Sequence, residues 1–524
     1  MPLVPTRRHF LRTAAAGSLT AVLSERLFAA EPPAESVTVR LDSEIGLVRP
    51  EFHGQFAEHL GSCVYGGLWV GKDSKIPNIA GYRRLAVEYL KELGVPVLRW
   101  PGGCFADDYH WRDGIGPANK RPRNVNIHWG GYVEDNSFGL HEFIGLCRLI
   151  GAEPYLAGNV GSGTPRELRD WIEYCNHPGG SSLSDERSAN GSPEPFRVRY
   201  WGVGNESWGC GGQMTPEHYA DLYRQFSGYA RTFGGTKPFL IACGPSGNDM
   251  HWSRTFFEHM TGSRHPDGFA MHFYENGDKY PTQFNVDDMN QQFAIFERVQ
   301  EAIVKQHALL DGFASGKGNR SGLLLDEWGV WDRMNPEEER RNGTLYMQST
   351  MRSAVAAGLG LNLFNRQADK LTMCNIAQVV NVLQSMLLTD GPEGTRCIRT
   401  ATYHAFSMFK AHRSKTSVRV ETPASGPLDL SVSASRSGSD LVITFVNPRH
   451  DRDLRVDCAL AGTAGAALRR AAAQVLHHSD WNAANTFDNP EAISVKSHPV
   501  QADGVKLKLD LPGLSVVTAT VSLS

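Results

Sequence analysis

A chain of 524 residues with 41% hydrophobic and 21% charged positions has ordinary globular composition. It is too long for one small core, which predicts two or more domains, or a barrel with an appendage. A formal net charge of −3 supplies no basic surplus for nucleic acid or an anionic membrane surface.

Residues 1–30 read as a targeting segment. Thr6-Arg7-Arg8-His9-Phe10-Leu11-Arg12 precedes a mildly apolar run from Thr13 to Ser24, then Phe28-Ala29-Ala30 ahead of Glu31-Pro32-Pro33. Paired arginines followed by Phe-Leu resemble a bacterial twin-arginine export signal, and the run is too short to span a bilayer as a stable helix. Cleavage near Ala30 is expected, giving a periplasmic or secreted mature protein of net charge −6 once Arg7, Arg8, Arg12, Arg26 and Glu25 are gone. Such a substrate crosses folded, so its destination does not force disulfides. The nine cysteines are odd in number and lack a Cys-x-x-Cys pair; they read as mostly buried thiols, without a disulfide framework or a zinc site.

In residues 31–50, Val37-Thr38-Val39-Arg40-Leu41 alternates as a strand. From 51 to 414, strands are expected near 51–57, 95–100, 153–159, 198–204, 239–243, 268–273, 321–326 and 359–364. Helices are expected between them, at Ile79–Leu93, Phe138–Ile150, Pro165–Cys175, Pro216–Phe233, Asp288–Leu310 and Gly343–Ala357. Thr164-Pro165 and Thr215-Pro216 are start signals for two of them. Eight strands alternating with helices predict a (β/α)8 barrel. A doubly wound open sheet is the alternative, but no Gly-x-Gly-x-x-Gly follows the first strand. The polar stretch Pro178–Pro195 reads as a plain loop in preference to a subunit contact, and 371–414 as two further helical stretches, the first opened by Asn375-Ile376-Ala377-Gln378.

From 415 to 524 the pattern becomes short alternating strands: Ser417–Glu421, Leu428–Ala434, Asp440–Val446, Leu454–Leu460, Ala473–His477, Ile493–Lys496, Val505–Leu509 and Val516–Ser522. These predict a jelly-roll-like all-β sandwich, to which residues 36–48 return as an extra strand.

Barrel active sites lie at the carboxyl ends of the strands. The polar residues expected there are Glu58 after the first strand, Arg99 and Cys104 after the second, Asn159 after the third, Asn205 and Glu206 after the fourth, His272 and Tyr274 after the sixth, and Glu327 after the seventh. Glu206 follows the apolar run of VRYWGVGNESWGCGG, and Glu327 that of LLLDEWG. Two strand-end glutamates are the equipment of a glycosidase, one acting as acid/base and one as nucleophile. Asp107 and Asp108 are competing acids in a loop and are given no catalytic role. No His/Cys/Asp cluster has metal-ligand spacing, so neither metal nor cofactor is expected.

GGLWVGKDSKIPNI, VPVLRWPGGCFADDYHWRDGIGP, NIHWGGYVEDNSFGLHEF, GNVGSGTP, GVGNESWGCGG, LLLDEWGVW and NIAQVVNVLQSMLLTDG resemble glycoside hydrolase family 51, the α-L-arabinofuranosidases. The resemblance runs over nearly all of 37–524. It implies a retaining, exo-acting enzyme on arabinose side chains of arabinan or arabinoxylan. Glu206 would be the acid/base, its pKa raised by the Glu327 charge, and Glu327 the nucleophile. Asn205 would hold the sugar hydroxyl beside the reacting carbon, Glu58, Tyr274 and Gln378 would bind the arabinose or orient the nucleophile, and Arg99 and His272 would support the carboxylates. Cys104 stands where some members carry a sugar-binding Asn, and a thiol is a weak substitute. Runner-up readings are a β-xylosidase or endoglucanase on the same scaffold, a metal-dependent barrel hydrolase, or a non-catalytic carbohydrate-binding protein. The expected partner is an arabinose-containing saccharide, with neither nucleic acid nor membrane; the oligomeric state, a homo-oligomer included, is left open.

Overall fold

The structure is a computed structural model that describes residues 34–524 apart from 264, 315–319, 425, 463, 464 and 466. The export-signal reading of residues 1–30 lies outside the described residues. No helix among them is long and apolar enough to cross a membrane.

Eight parallel strands close into a barrel, from Gly54–Phe56 through Val97–Trp100, Glu153–Gly158, Tyr200–Val203, Phe239–Ser246, Gly268–Asn276 and Gly322–Trp331 to Leu371–Ala377, which pairs back onto the first. Alternation along the strands sends one set of side chains inward. Val97, Tyr155, Tyr200, Ile241, Ala270, Leu324 and Met373 fill the barrel axis as one apolar cluster. Their neighbours, such as Trp201 and Leu325, face outward into a larger core shared with the helices. Two helices start where Thr-Pro marks them, with the Thr164 hydroxyl accepting from the Glu167 N–H at 3.2 Å and the Thr215 hydroxyl from the His218 N–H at 3.3 Å.

The eighth strand corrects the sequence expectation. Residues 359–364 belong to the helix Met351–Arg366, and the strand is Leu371–Ala377, inside a stretch expected to be helical. The helix is buried on every side except at Arg366, so it has no polar stripe to betray its period and reads as a plain apolar run. Its glycines serve close packing: a Cβ on Gly360 would lie 2.7 Å from the Trp328 ring, and one on Gly358 3.0 Å from Val446 and Val516. After the strand, Leu387–Thr389 pairs with Cys397–Arg399, and only Ala401–Phe409 is α-helical in the rest of that stretch. Pro178–Pro195 is likewise not a plain loop, since Ser181 caps a helix over Ser182–Ala189.

The all-β domain hydrogen-bonds as one mixed ten-stranded sheet curled around its own apolar core. Strand Glu35–Leu47 lies inside it, antiparallel to Thr416–Glu421 and parallel to Leu454–Ala461.

Where the helix Met351–Arg366 begins, Arg352 is fully buried and pairs with Asp332 and Gln292, while its guanidinium sits 3.7 Å from the centre of the Phe284 ring. It thereby ties the end of the seventh strand to the segment that follows the sixth. Arg352→Ala leaves Asp332 buried without a counter-charge and is expected to cost roughly 3–5 kcal/mol. A urea midpoint equal to that of the parent protein would contradict this.

Candidate active site

Glu206 stands just beyond the fourth strand in a left-handed backbone conformation, φ 41°, which costs a non-glycine residue about 1–3 kcal/mol and must be imposed by its surroundings. Three anchors impose it. The Asn205 N–H donates to Asp107 Oδ2 at 2.8 Å, the Ser207 N–H points at Cys243 Sγ at 3.2 Å, and the Glu206 carbonyl accepts from the Gly209 and Gly211 N–H groups. Asp107 is thus a structural acid. Its other oxygen accepts from the Val160 and Gly161 N–H groups at 2.8 and 2.9 Å, and burial pushes its carboxyl up to about 7 against these three donors.

Glu327 arrives on the seventh strand beside a bulge. The register between the sixth and seventh strands slips between Met271 and His272, so Asp326 is the extra residue and consecutive acids both reach the barrel mouth. Arg99 Nη1 donates to Glu327 Oε1 at 2.6 Å and the Tyr274 hydroxyl to Oε2 at 2.7 Å, fixing the plane of the carboxylate. The same guanidinium donates through Nη2 to Asn205 Oδ1 at 2.6 Å and lies 3.7 Å from Asp326. Asp326 in turn accepts from the Tyr155 hydroxyl at 2.7 Å; burial works against its charge, but Arg99 and His272 outweigh it and hold the carboxyl down at about 2.

His272 spans the acids, with Nδ1 2.8 Å from Glu206 Oε1 and 3.5 Å from Glu327 Oε2, and Nε2 3.0 Å from Asp326 Oδ1. Burial disfavours its charged form, yet Glu327, Asp326 and Glu206 together raise it to about 10, which favours the imidazolium, hydrogen-bonded through Nδ1 to Glu206 and at ion-pair distance from Asp326 through Nε2. An oxygen of Glu206, one of Glu327 and a His272 nitrogen all lie within 4.8 Å of one another. Nearest oxygens this close are compatible with the roughly 5–5.5 Å between the carboxyl groups of a retaining pair.

Glu58 closes the far side of the pocket. It accepts from the Phe105 N–H at 3.1 Å and Trp129 Nε1 at 2.9 Å on one oxygen, and from Gln378 Nε2 at 3.1 Å on the other. Burial and the nearby Glu327 charge push its carboxyl up to about 7. Gly102 and Gly103 admit the loop between the glutamates, since a Cβ at Gly102 would meet Glu58 at 2.8 Å and one at Gly103 would meet Glu327 at 3.0 Å. Asn159, expected here, instead braces its own loop through Ser162 and the Tyr109 carbonyl. Trp129 and Asp326 were not singled out from the sequence. The adjacent acids of Leu-Asp-Glu-Trp on an apolar strand were a usable signal for Asp326; Trp129 sits on a loop far along the chain from Glu58 and had none.

The cysteine reading needs correction at two positions. Cys104 and Cys210 form a disulfide, S–S 2.06 Å, across 106 residues, while the other seven are buried free thiols. Cys104 therefore has no thiol to offer a sugar, and the bridge ties the second-strand loop to the fourth-strand loop, with the Cys210 sulfur 3.5 Å from Glu206 Oε2. Among the described residues two groups approach metal-binding geometry, Cys104/Glu206/Cys210 and Glu206/His272/Glu327. The disulfide removes both thiolates from the first, and in the second the histidine Nδ1 is already taken up by Glu206 at 2.8 Å. Reducing the bridge, or Cys104→Ser, is expected to release the Glu206 loop, lower kcat at least about tenfold, and cost up to ~5 kcal/mol of stability for a loop this long. Full turnover after complete thiol titration would contradict that expectation.

Comparison with known proteins agrees with this geometry. Residues 89–292 match the α-L-arabinofuranosidase 1 domain and residues 326–515 the α-L-arabinofuranosidase C-terminal domain. The chain is 41% identical over 517 residues to an intracellular exo-α-L-arabinofuranosidase of Bacteroides ovatus, covering 95% of this chain and 98% of that one. The structure superposes on the GH51 arabinofuranosidase of Xanthomonas axonopodis pv. citri with a TM-score of 0.88 at 37% identity, over 93% of this chain and 100% of that one. The arabinose complex of a Thermotoga maritima α-L-arabinofuranosidase gives a TM-score of 0.82 at 29% identity, with the same coverage. With its barrel, its curled sheet and its paired glutamates, this chain belongs to glycoside hydrolase family 51, the α-L-arabinofuranosidases.

Proposed function

We propose that Glu327 is the nucleophile and Glu206 the acid/base of a retaining, exo-acting α-L-arabinofuranosidase that trims terminal arabinose from arabinan- or arabinoxylan-type saccharides. The observation that carries the assignment is the approach of the two carboxylates within 4.8 Å. Glu206 protonates the glycosidic oxygen as the bond to the anomeric carbon breaks, and Glu327 forms an ester with that carbon. Glu206, now a carboxylate, takes a proton from water as the water oxygen displaces Glu327.

The roles divide by exposure. Arg99 and Tyr274 hold both oxygens of Glu327 and so aim it. Asn205, steadied by Arg99, is left with an amide nitrogen that has no protein partner, free to meet a sugar hydroxyl. Glu58, Gln378 and Trp129 shut the pocket on the other side; Glu58 and Gln378 are 2% and 1% exposed. A closed end of this kind accepts one terminal sugar, which supports exo action.

Glu327→Gln is expected to lower turnover of 4-nitrophenyl arabinofuranoside by roughly 1,000-fold or more. Glu206→Ala should lose about 100- to 10,000-fold on saccharide substrates, spare substrates whose leaving group needs no proton, and be rescued by azide. Full activity in Glu327→Gln rejects the nucleophile, and a Glu206 variant lacking both signatures reassigns the acid. Faster cleavage of aryl xyloside or glucan than of arabinofuranoside would favour the runner-up substrates.

We also infer export through Arg7-Arg8. The active-site disulfide supports an oxidising destination; the Bacteroides ovatus relative is named as intracellular. An Arg7→Lys, Arg8→Lys variant is expected to accumulate with its leader uncut in the cytoplasm, and unaltered fractionation would overturn the inference.

A further inference from the structure

Barrel and all-β domain meet along the helix Met351–Arg366, and beside that seam lies a cavity of about 270 Å3. Phe293 and Phe296 of the helix Val286–Phe313, Leu359 and Leu363 of the seam helix, and Leu430 and Val432 of the all-β domain give it apolar walls. It shares no wall residue with the open space beside Glu206.

Arg366, the last residue of the seam helix, brings a guanidinium into this lining. Its Nη1 donates to Ser431 Oγ at 3.0 Å and to the Val432 carbonyl at 3.1 Å. Nε and Nη2 have no hydrogen-bond partner among the described residues, and neither is sealed away from open space. Those two nitrogens form the edge of the guanidinium whose parallel N–H groups match both oxygens of a carboxylate.

No carboxylate among the described residues pairs with this cation. Burial alone acts on it and lowers it to about 10, so it stays charged at neutral pH. Glu297 and Asp429 also border the cavity, but Glu297 is exposed and Asp429 accepts from the Gly426 N–H at 2.7 Å. A cation at the carboxyl end of a helix is favourable in itself, which accounts for an arginine at this position. It does not account for apolar walls around the unused edge, because a partly buried charge without a counter-ion is costly.

We propose that this cavity binds a small aromatic monocarboxylate, its ring against Phe293, Phe296 and the leucines and its carboxylate on the Nε and Nη2 edge of Arg366. Inorganic phosphate would satisfy the cation and leave the apolar walls wet. A neutral aromatic would cover the walls and leave the cation unpaired. Because the walls come from both domains, the occupant bridges them and stabilises the folded chain by mass action.

The test is calorimetric titration of the mature protein with 4-methylbenzoate, 4-methylbenzamide and inorganic phosphate, with the thermal unfolding midpoint followed alongside. The carboxylate is expected to bind with a Kd on the order of 0.1–1 mM and to raise the midpoint, the amide and phosphate binding at least about tenfold more weakly. Arg366→Gln should erase the preference for acid over amide. Gln300 is exposed and borders the cavity, so Gln300→Trp fills the space with Arg366 intact and should abolish binding even if the arginine variant fails to fold. Equal affinity for the acid and either control overturns the proposal. So does 4-methylbenzoate binding that is unchanged in a folded variant, or absent from the parent up to about 10 mM.

Discussion

Charge balance at the barrel mouth is the constraint on which the site depends. Glu58, Glu206, Asp326 and Glu327 converge in a largely dry space, and the cations that meet them are Arg99 and His272. Ionised groups taken out of water are costly unless paired and hydrogen-bonded. The guanidinium is suited to this because its planar fork serves three partners at once, Glu327, Asn205 and Asp326, and cannot lose its proton. His272 adds the second charge only because the acids around it hold the proton there. The paired glutamates are thus positioned by the same contacts that make their burial tolerable.

Asp326 shows how the backbone serves that balance. A regular strand would direct Asp326 and Glu327 to opposite faces. The bulge brings both to the mouth, where Asp326 pairs with Arg99 and His272 while Glu327 is aimed by Arg99 and Tyr274. The opposite glutamate is handled by strain, with Asp107 and the disulfide fixing a backbone turn that Glu206 would not adopt alone.

What could be read from the chain was whatever a short period encodes. The short unbroken apolar runs ending at Glu206 and Glu327 stop abruptly at polar residues, so strand ends and their acids were visible, as were the Thr-Pro helix starts. The helix Met351–Arg366 was legible only in its first half, within the helix expected over Gly343–Ala357; over 359–364 burial on all sides erases the polar stripe that marks a helix, and a strand was expected there. The contacts of Glu58 with Trp129 and Gln378 join residues distant along the chain, and only the barrel's closure brings them together. The Cys104–Cys210 bridge was missed for the same reason: an odd count of scattered cysteines says nothing about which two will meet.

Strand Glu35–Leu47 carries a consequence for how the molecule is made. It leaves the ribosome early, yet both neighbours in its sheet, Thr416–Glu421 and Leu454–Ala461, follow only in the last quarter of the chain. The barrel closes just as late, its first strand waiting for Leu371–Ala377. Until translation is nearly finished, the nascent chain holds a long alternating strand with both edges unpaired, the kind of segment that recruits other chains. A holdase covering residues 35–47 during synthesis would therefore protect the whole protein, and the site at the barrel mouth comes into being only when Leu371–Ala377 has closed the barrel.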